Sequence, residues 1–152
     1  MIEERLREMG YAVPEAPAPL AAYVPATRSG SLAFTAGQLP IRDGELIATG
    51  KVGADVGEEK AVEAARVAVL NALGALKALL GDLEKIRRVV KVNAYVASAP
   101  DYYNHPAVAN GASELIGEAF GEQGAHARAA VGVAALPKNA PVEIELVVEV
   151  GD

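Results

Sequence analysis

The sequence predicts an α+β domain, a mixed six-stranded sheet with two helices packed on one of its faces. Three stretches carry that expectation. Residues 57–80 place Val62, Ala65, Val69, Leu73, Leu76 and Leu80 at three- and four-residue steps, the spacing of one helix face. Residues 86–99, IRRVVKVNAYVASA, are rich in β-branched side chains. There Val90, Val92, Ala94 and Val96 alternate with Lys91, Asn93 and Tyr95. Near the end of the chain Val142, Ile144, Leu146, Val148 and Val150 alternate with Glu143, Glu145, Val147 and Glu149, so one side of that strand is greasy and the other is not.

Taken in order, residues 2–9 suggest a short amphipathic helix with Ile2, Leu6 and Met9 on one side, followed by the stiff connector PEAPAP. This divides the chain into an arm over residues 1–18 and a domain over residues 19–152. From Tyr23 to about Ile47, turn signals at RSGS, AGQLP and RDGE cut the chain into three small strands. The loop GKVGADVG, residues 50–57, has glycines and a lysine but neither phosphate-binding spacing, so it reads as the lead into the long helix. Glu58 and Glu59 stand near that helix's positive end and Gly81 stops it. After the central strand, Asp101 is an N-cap candidate for a second helix running to about Phe120, with Pro106 in its first turn or in a separate lead-in. Two closing strands follow, and strands interleaved with two helices in this order give a sheet covered on one side.

Bulk properties bound the function. The 152 residues suffice for one core that buries roughly two-thirds of the unfolded surface. Apolar runs are too short and interrupted to cross a bilayer, and MIEERLREMG lacks the pattern of an export signal, so a cytoplasmic chain with no membrane partner is expected. There are no cysteines, and the two histidines, His105 and His126, have no acids at metal-ligand spacing, so neither thiol chemistry nor a metal site is expected. Neither histidine follows a recognisable serine elbow, and His105 before Pro106 reads as a turn residue. With a net charge of −6 and 14 scattered basic residues, no nucleic-acid partner is expected.

Arg128 is the residue that demands an explanation. Its guanidinium keeps its proton, and burying it unpaired would cost several kcal/mol. Ala130, Gly132 and Ala134 share its side of the strand and leave space beside it. Two readings fit: an internal ion pair with a glutamate of the last strand, or a bound organic acid gripped through two parallel hydrogen bonds. A plain hairpin about Lys138 and Asn139 would set Arg128 opposite Glu149 and leave Glu143 near the turn.

The segments YVPATRSGSLAFTAGQLP and NGASELIGEAFGEQGAHARAAVGVAALPKNAPVEIE, together with the order of elements, resemble the RidA/YjgF family of reactive intermediate deaminases over about Pro19 to Val150. The TGKVG loop, the N-terminal helix and NGAS look like a subgroup of it. The resemblance implies a chorismate mutase-like fold, a homotrimer with clefts between subunits, and cofactor-free hydrolysis of small 2-imino and 2-enamino acids to 2-keto acids and ammonia. By the same resemblance Arg128 would hold the substrate carboxylate and Glu143 would position the attacking water. Tyr23 and Asn110 would line the cleft, and Gly37 and Ala130 would offer backbone groups beside the imine nitrogen. Ala36 and Ala129 stand where the family's imine deaminases often carry serine. Two other readings remain: a non-catalytic trimer that binds small carboxylates, and an endoribonuclease, which the family's alternative naming suggests.

Overall fold

The computed structural model describes residues 1–16 and 22–152. The chain runs α1 (Ile2–Glu8), β1 (Ala26–Ser29), β2 (Leu32–Thr35), β3 (Ile41–Arg42), β4 (Glu45–Leu46), α2 (Glu58–Leu80), β5 (Ile86–Ala97), α3 (His105–Phe120), β6 (Ala127–Val133) and β7 (Val142–Val150). The main sheet has the order β1-β2-β7-β5-β6, antiparallel except for the β5–β6 pair. It has five strands, not six. Residues 41–46 instead fold as a separate two-stranded ribbon, because Asp43 and Gly44 both adopt positive φ and close a tight turn between two-residue strands. Asn71 of α2 ties this region down, its Nδ2 donating to the carbonyls of Leu39 and Ile41 at 2.9 Å each.

The helices lie on one face of the sheet. Ala61, Ala65, Ala68, Leu73 and Leu76 of α2 and Val108, Ala112, Ile116 and Ala119 of α3 are sealed against Val92, Ala94 and Val96 of β5 and Val142, Ile144, Leu146 and Val148 of β7. Helix α1 joins this core through Ile2 and Leu6, with Met9 packed against it as its spacing anticipates. Lys77 pairs with Glu3 at 2.8 Å and Arg5 Nη1 donates to the Ala119 carbonyl at 3.0 Å. At Gly111 the two long helices touch so closely that a Cβ would run into the Val62 carbonyl. That contact fixes the height of α3 above the sheet edge, and with it the positions of Asn110 and Ser113 on either side.

Three expectations need correction. The closing strands do not form a hairpin: β5 lies between β6 and β7, parallel to one and antiparallel to the other. Lys138 and Asn139 still supply the left-handed turn, with φ of 59° and 61°, but it carries the chain past β5 rather than back along β6. The buried side of β5 runs through Ile86 and Val89 rather than Val90, because register shifts at Ile86/Arg88 and Val89/Lys91 interrupt the alternation before Val92. Helix α3 starts at His105 with Asn104 as its N-cap residue, later than an Asp101 cap would place it, and Pro106 occupies its first turn. The connector PEAPAP lies partly outside the described residues.

Candidate functional site

Strand β6 is an edge strand in register with β5, Arg128 opposite Val92, Ala130 opposite Ala94 and Gly132 opposite Val96. Partners across a ladder share a face, so Arg128 points to the helix side, where its own strand has no larger neighbour than alanine. There it meets α3. Arg128 Nη1 donates to Asn110 Oδ1 at 2.7 Å and to Ser113 Oγ at 3.2 Å. Among the described residues no carboxylate pairs with this guanidinium, so the internal ion pair with the last strand is not formed. The register explains why: β5 intervenes, and the glutamates of β7 point to the other face.

Two residues complete this cluster: Ser113, which the sequence did not single out, and His126, which it offered only as a histidine without metal-ligand spacing or a serine elbow. Ser113 Oγ lies 2.8 Å from His126 Nε2, and His126 Nδ1 lies 2.6 Å from the Gly124 carbonyl. A carbonyl only accepts, so Nδ1 carries a proton, and in the neutral ring Nε2 accepts from the serine hydroxyl. The hydroxyl oxygen then accepts from Arg128. The spacing offered a partial signal: Ser113 follows Asn110 by three in a helix, so the two share a face, while His126 lies just before β6, two residues ahead of Arg128. Ala130 is the next residue on this side of β6, half-buried against the core.

Glu143 belongs to a second cluster on the open face of the sheet. It is opposite Tyr95, and Glu145 is opposite Asn93. Tyr95 donates its hydroxyl to Glu145 Oε1 at 2.6 Å, and Asn93 Nδ2 donates to the same oxygen at 3.1 Å. The carboxyl of Glu143 lies over Gly37, where a Cβ would sit 2.6 Å from Oε2. Gln38 holds that backbone in place through paired hydrogen bonds with Ile144, at 2.8 and 3.0 Å. Burial, and then the charge of Glu145, push the Glu143 pKa up. The hydrogen bond to Glu145, followed by burial and the two carboxylate charges, raises the Tyr95 hydroxyl to about 12.

The two clusters do not meet within one chain. They face opposite sides of the sheet, about 10 Å apart along the strands and about 10 Å across them by ladder spacing. Tyr23 joins neither: it stands in the loop before β1, 66% exposed, with no hydrogen-bond partner among the described residues. The open face also bears Leu32, Phe34 and Val131, which are 36%, 37% and 45% exposed. The remaining histidine, His105, is not a turn residue but opens α3, with Nε2 2.9 Å from Ser98 Oγ. Among the described residues no group of His, Asp and Glu is arranged to hold a metal ion, and no helix is long and apolar enough to cross a membrane.

The mixed sheet backed by helices on one face can be compared with known proteins. The family model described as "YjgF/chorismate_mutase-like, putative endoribonuclease" matches residues 3–150, and the chain belongs to this YjgF/RidA family. It is 41% identical over 152 residues to Protein TCP17 of Trypanosoma cruzi, covering 99% of this chain and 95% of that protein. It is 34% identical over 137 residues to the 2-iminobutanoate/2-iminopropanoate deaminase of Dermatophagoides farinae, covering 89% of this chain and 91% of the relative. The crystal structure of protein Atu1372 from Agrobacterium tumefaciens superposes with a TM-score of 0.93 at 50% identity, covering 99% and 93% of the two chains.

Proposed function

We propose that this chain hydrolyses small 2-imino and 2-enamino acids to 2-keto acids and ammonia, in clefts formed between copies of itself. The observation that carries the reading is the state of Arg128. Its guanidinium is oriented by two neutral oxygens, from Asn110 and Ser113, and is paired with no acid, so its positive charge remains available to a carboxylate. A planar fork meeting a carboxylate with two parallel hydrogen bonds fixes both the position and the tilt of the guest.

An imine carbon is already electrophilic, so hydrolysis needs a held substrate, an oriented water and proton transfer rather than a covalent intermediate. Glu143, with its raised proton affinity, is suited to orient that water, and the backbone at Gly37 and Ala130 is suited to face the imine nitrogen. Because Arg128 and Glu143 face opposite sides of their own sheet, the reading places them together only across an interface. A homotrimer that covers the open face, with its Leu32, Phe34 and Val131, provides one, and Tyr23 and Asn110 then line the cleft. The similarity to the mite deaminase supports the reaction class. The acidic balance of the chain favours a small carboxylate over RNA as the ligand.

The test is ammonia release from 2-iminobutanoate generated in situ by an amino-acid oxidase. Arg128→Ala should lower kcat/KM by about 10² to 10³, the loss of two charge-assisted hydrogen bonds, without changing the oligomer. An unchanged rate refutes the reading. Calorimetric binding of 2-ketobutyrate with no turnover would instead make the chain a carboxylate-binding protein, the outcome that Ala36 and Ala129 in place of serines would favour.

A further inference from the structure

The Arg128 cluster contains more than is needed to hold an anion. Asn110 Oδ1 already accepts from Nη1 at 2.7 Å, yet Ser113 Oγ accepts from the same nitrogen and hands its own proton toward His126. The imidazole is in turn fixed by its Nδ1 proton, held at 2.6 Å by the Gly124 carbonyl in the turn before β6. This leaves a basic nitrogen, Nε2, one hydroxyl away from the place where a carboxylate would dock. His126 and Ser113 are both half-buried, so neither hydroxyl nor ring is simply solvated. The charged groups on the surrounding elements are Arg128 on β6, Glu114 and Glu118 on α3, Glu122 in the preceding turn and, on β5, Lys91, the ladder partner of Ala127. Among the described residues none of these acids has a hydrogen bond or ion pair with the imidazole, so its link to the site runs through Ser113.

We infer that Ser113 and His126 are the proton-transfer pair of the Arg128 site. This rests on the imino-acid hydrolase reading and assigns it a base and an acid. As water oxygen bonds to the imine carbon, the π pair of the C=N bond passes to nitrogen. The water proton moves to Ser113 Oγ while the serine proton moves to His126 Nε2. The imidazolium returns that proton by the same route to the nitrogen, giving a neutral carbinolamine. In the second half the carbinolamine hydroxyl loses its proton along the relay, the C–N bond breaks, and nitrogen takes the proton and leaves as ammonia. Atoms and charge balance without any further reactant. Both halves use the imidazole Nε2 first as acceptor and then as donor, through the one serine hydroxyl.

The test compares His126→Gln and Ser113→Ala with the wild-type chain in the ammonia assay, alongside imidazole NMR. Glutamine can still accept from Ser113 but cannot cycle a proton. His126→Gln should lose about 10²- to 10⁴-fold in kcat, the usual range for general acid–base catalysis, and lose the limb of the pH–rate profile that the imidazole supplies. Its KM and its affinity for 2-ketobutyrate should stay within a few-fold, and Ser113→Ala should behave alike. In the NMR arm, 2-ketobutyrate should shift the His126 titration in the wild-type chain and not in Arg128→Ala. A His126→Gln variant with full kcat and an unaltered pH profile overturns the proposal. So does one that loses carboxylate affinity in step with kcat, which would make the pair only a prop for Arg128. A wild-type chain that binds 2-ketobutyrate but releases no ammonia sinks the hydrolase reading by itself. A His126 titration indifferent to the bound anion then sinks the relay separately.

Discussion

The helix-covered side of the sheet and the open side treat their charges in opposite ways. Behind α3, Arg128 bonds Asn110 on one side and on the other begins a chain of contacts through Ser113 and His126 to Gly124, all supplied by one copy. On the open side, Glu143 and Glu145 share one face of β7 with only neutral donors near Glu145, and Leu32, Phe34 and Val131 stand exposed beside them. The first region is finished within the chain; the second is not. On the proposed reading a single copy receives the anion at Arg128, while the acid half of the chemistry waits for a surface to cover it.

The largest effect should follow from keeping the second region uncovered. Phe34→Asp puts a charge among the exposed apolar side chains of the open face, and the proposed trimer should fall apart, with turnover reduced at least about a hundredfold because the reacting groups are no longer aligned. Light scattering would report the monomer, and calorimetry should still find 2-ketobutyrate binding at Arg128. Loss of that binding in a folded monomer would show that the two regions are not independent.

A smaller effect is expected at Gly37. An alanine there would set its Cβ 2.6 Å from Glu143 Oε2 and 2.7 Å from Cδ, so the carboxyl must swing aside. Gly37→Ala should reduce kcat by about tenfold or more with little change in thermal stability, since the side chain that yields is a flexible one. Melting curves alongside the ammonia assay separate the two effects.

Smaller still are the effects on stability against pH. The Glu143 pKa is higher in the fold than in the unfolded chain, so its contribution is present below the unfolded value and is lost as pH rises through the folded one. Glu143→Gln should therefore melt somewhat higher than the parent chain at neutral pH while losing activity. Tyr95 behaves likewise in the alkaline range: raised to about 12, it adds stability that is complete below its ordinary value near 10 and fades as pH climbs through 12. Tyr95→Phe should flatten that alkaline loss, read by chemical denaturation across the range.

Much of the first region's framework was legible in the residues. The period of α2, the alternation of β7 and the need of Arg128 for a partner all follow from side-chain chemistry and spacing. The partner itself was not legible, because it depends on β5 threading between β6 and β7. A two-residue left-handed turn at Lys138–Asn139 serves a hairpin and a crossing equally well. Once β5 intervenes, the glutamates of β7 belong to the other face and Asn110 and Ser113 become the neighbours of Arg128. Nothing in the sequence pairs Ser113 with His126, because each sits singly in its own segment, and the close approach of the two long helices at Gly111 sets α3 at the height where they meet. The register shifts in β5 were hidden for a similar reason: Val89 and Val90 are equally apolar, and the ladder decides which one turns inward.

The account turns on one chain supplying Arg128 and a neighbour supplying Glu143, and mixing two inactive variants tests this directly. Arg128→Ala and Glu143→Gln, each inactive alone, should regain activity when unfolded together and refolded as mixed trimers, to roughly a quarter of the wild-type site count if assembly is random. Mixed trimers that stay inactive, although both variants fold and assemble, would contradict it.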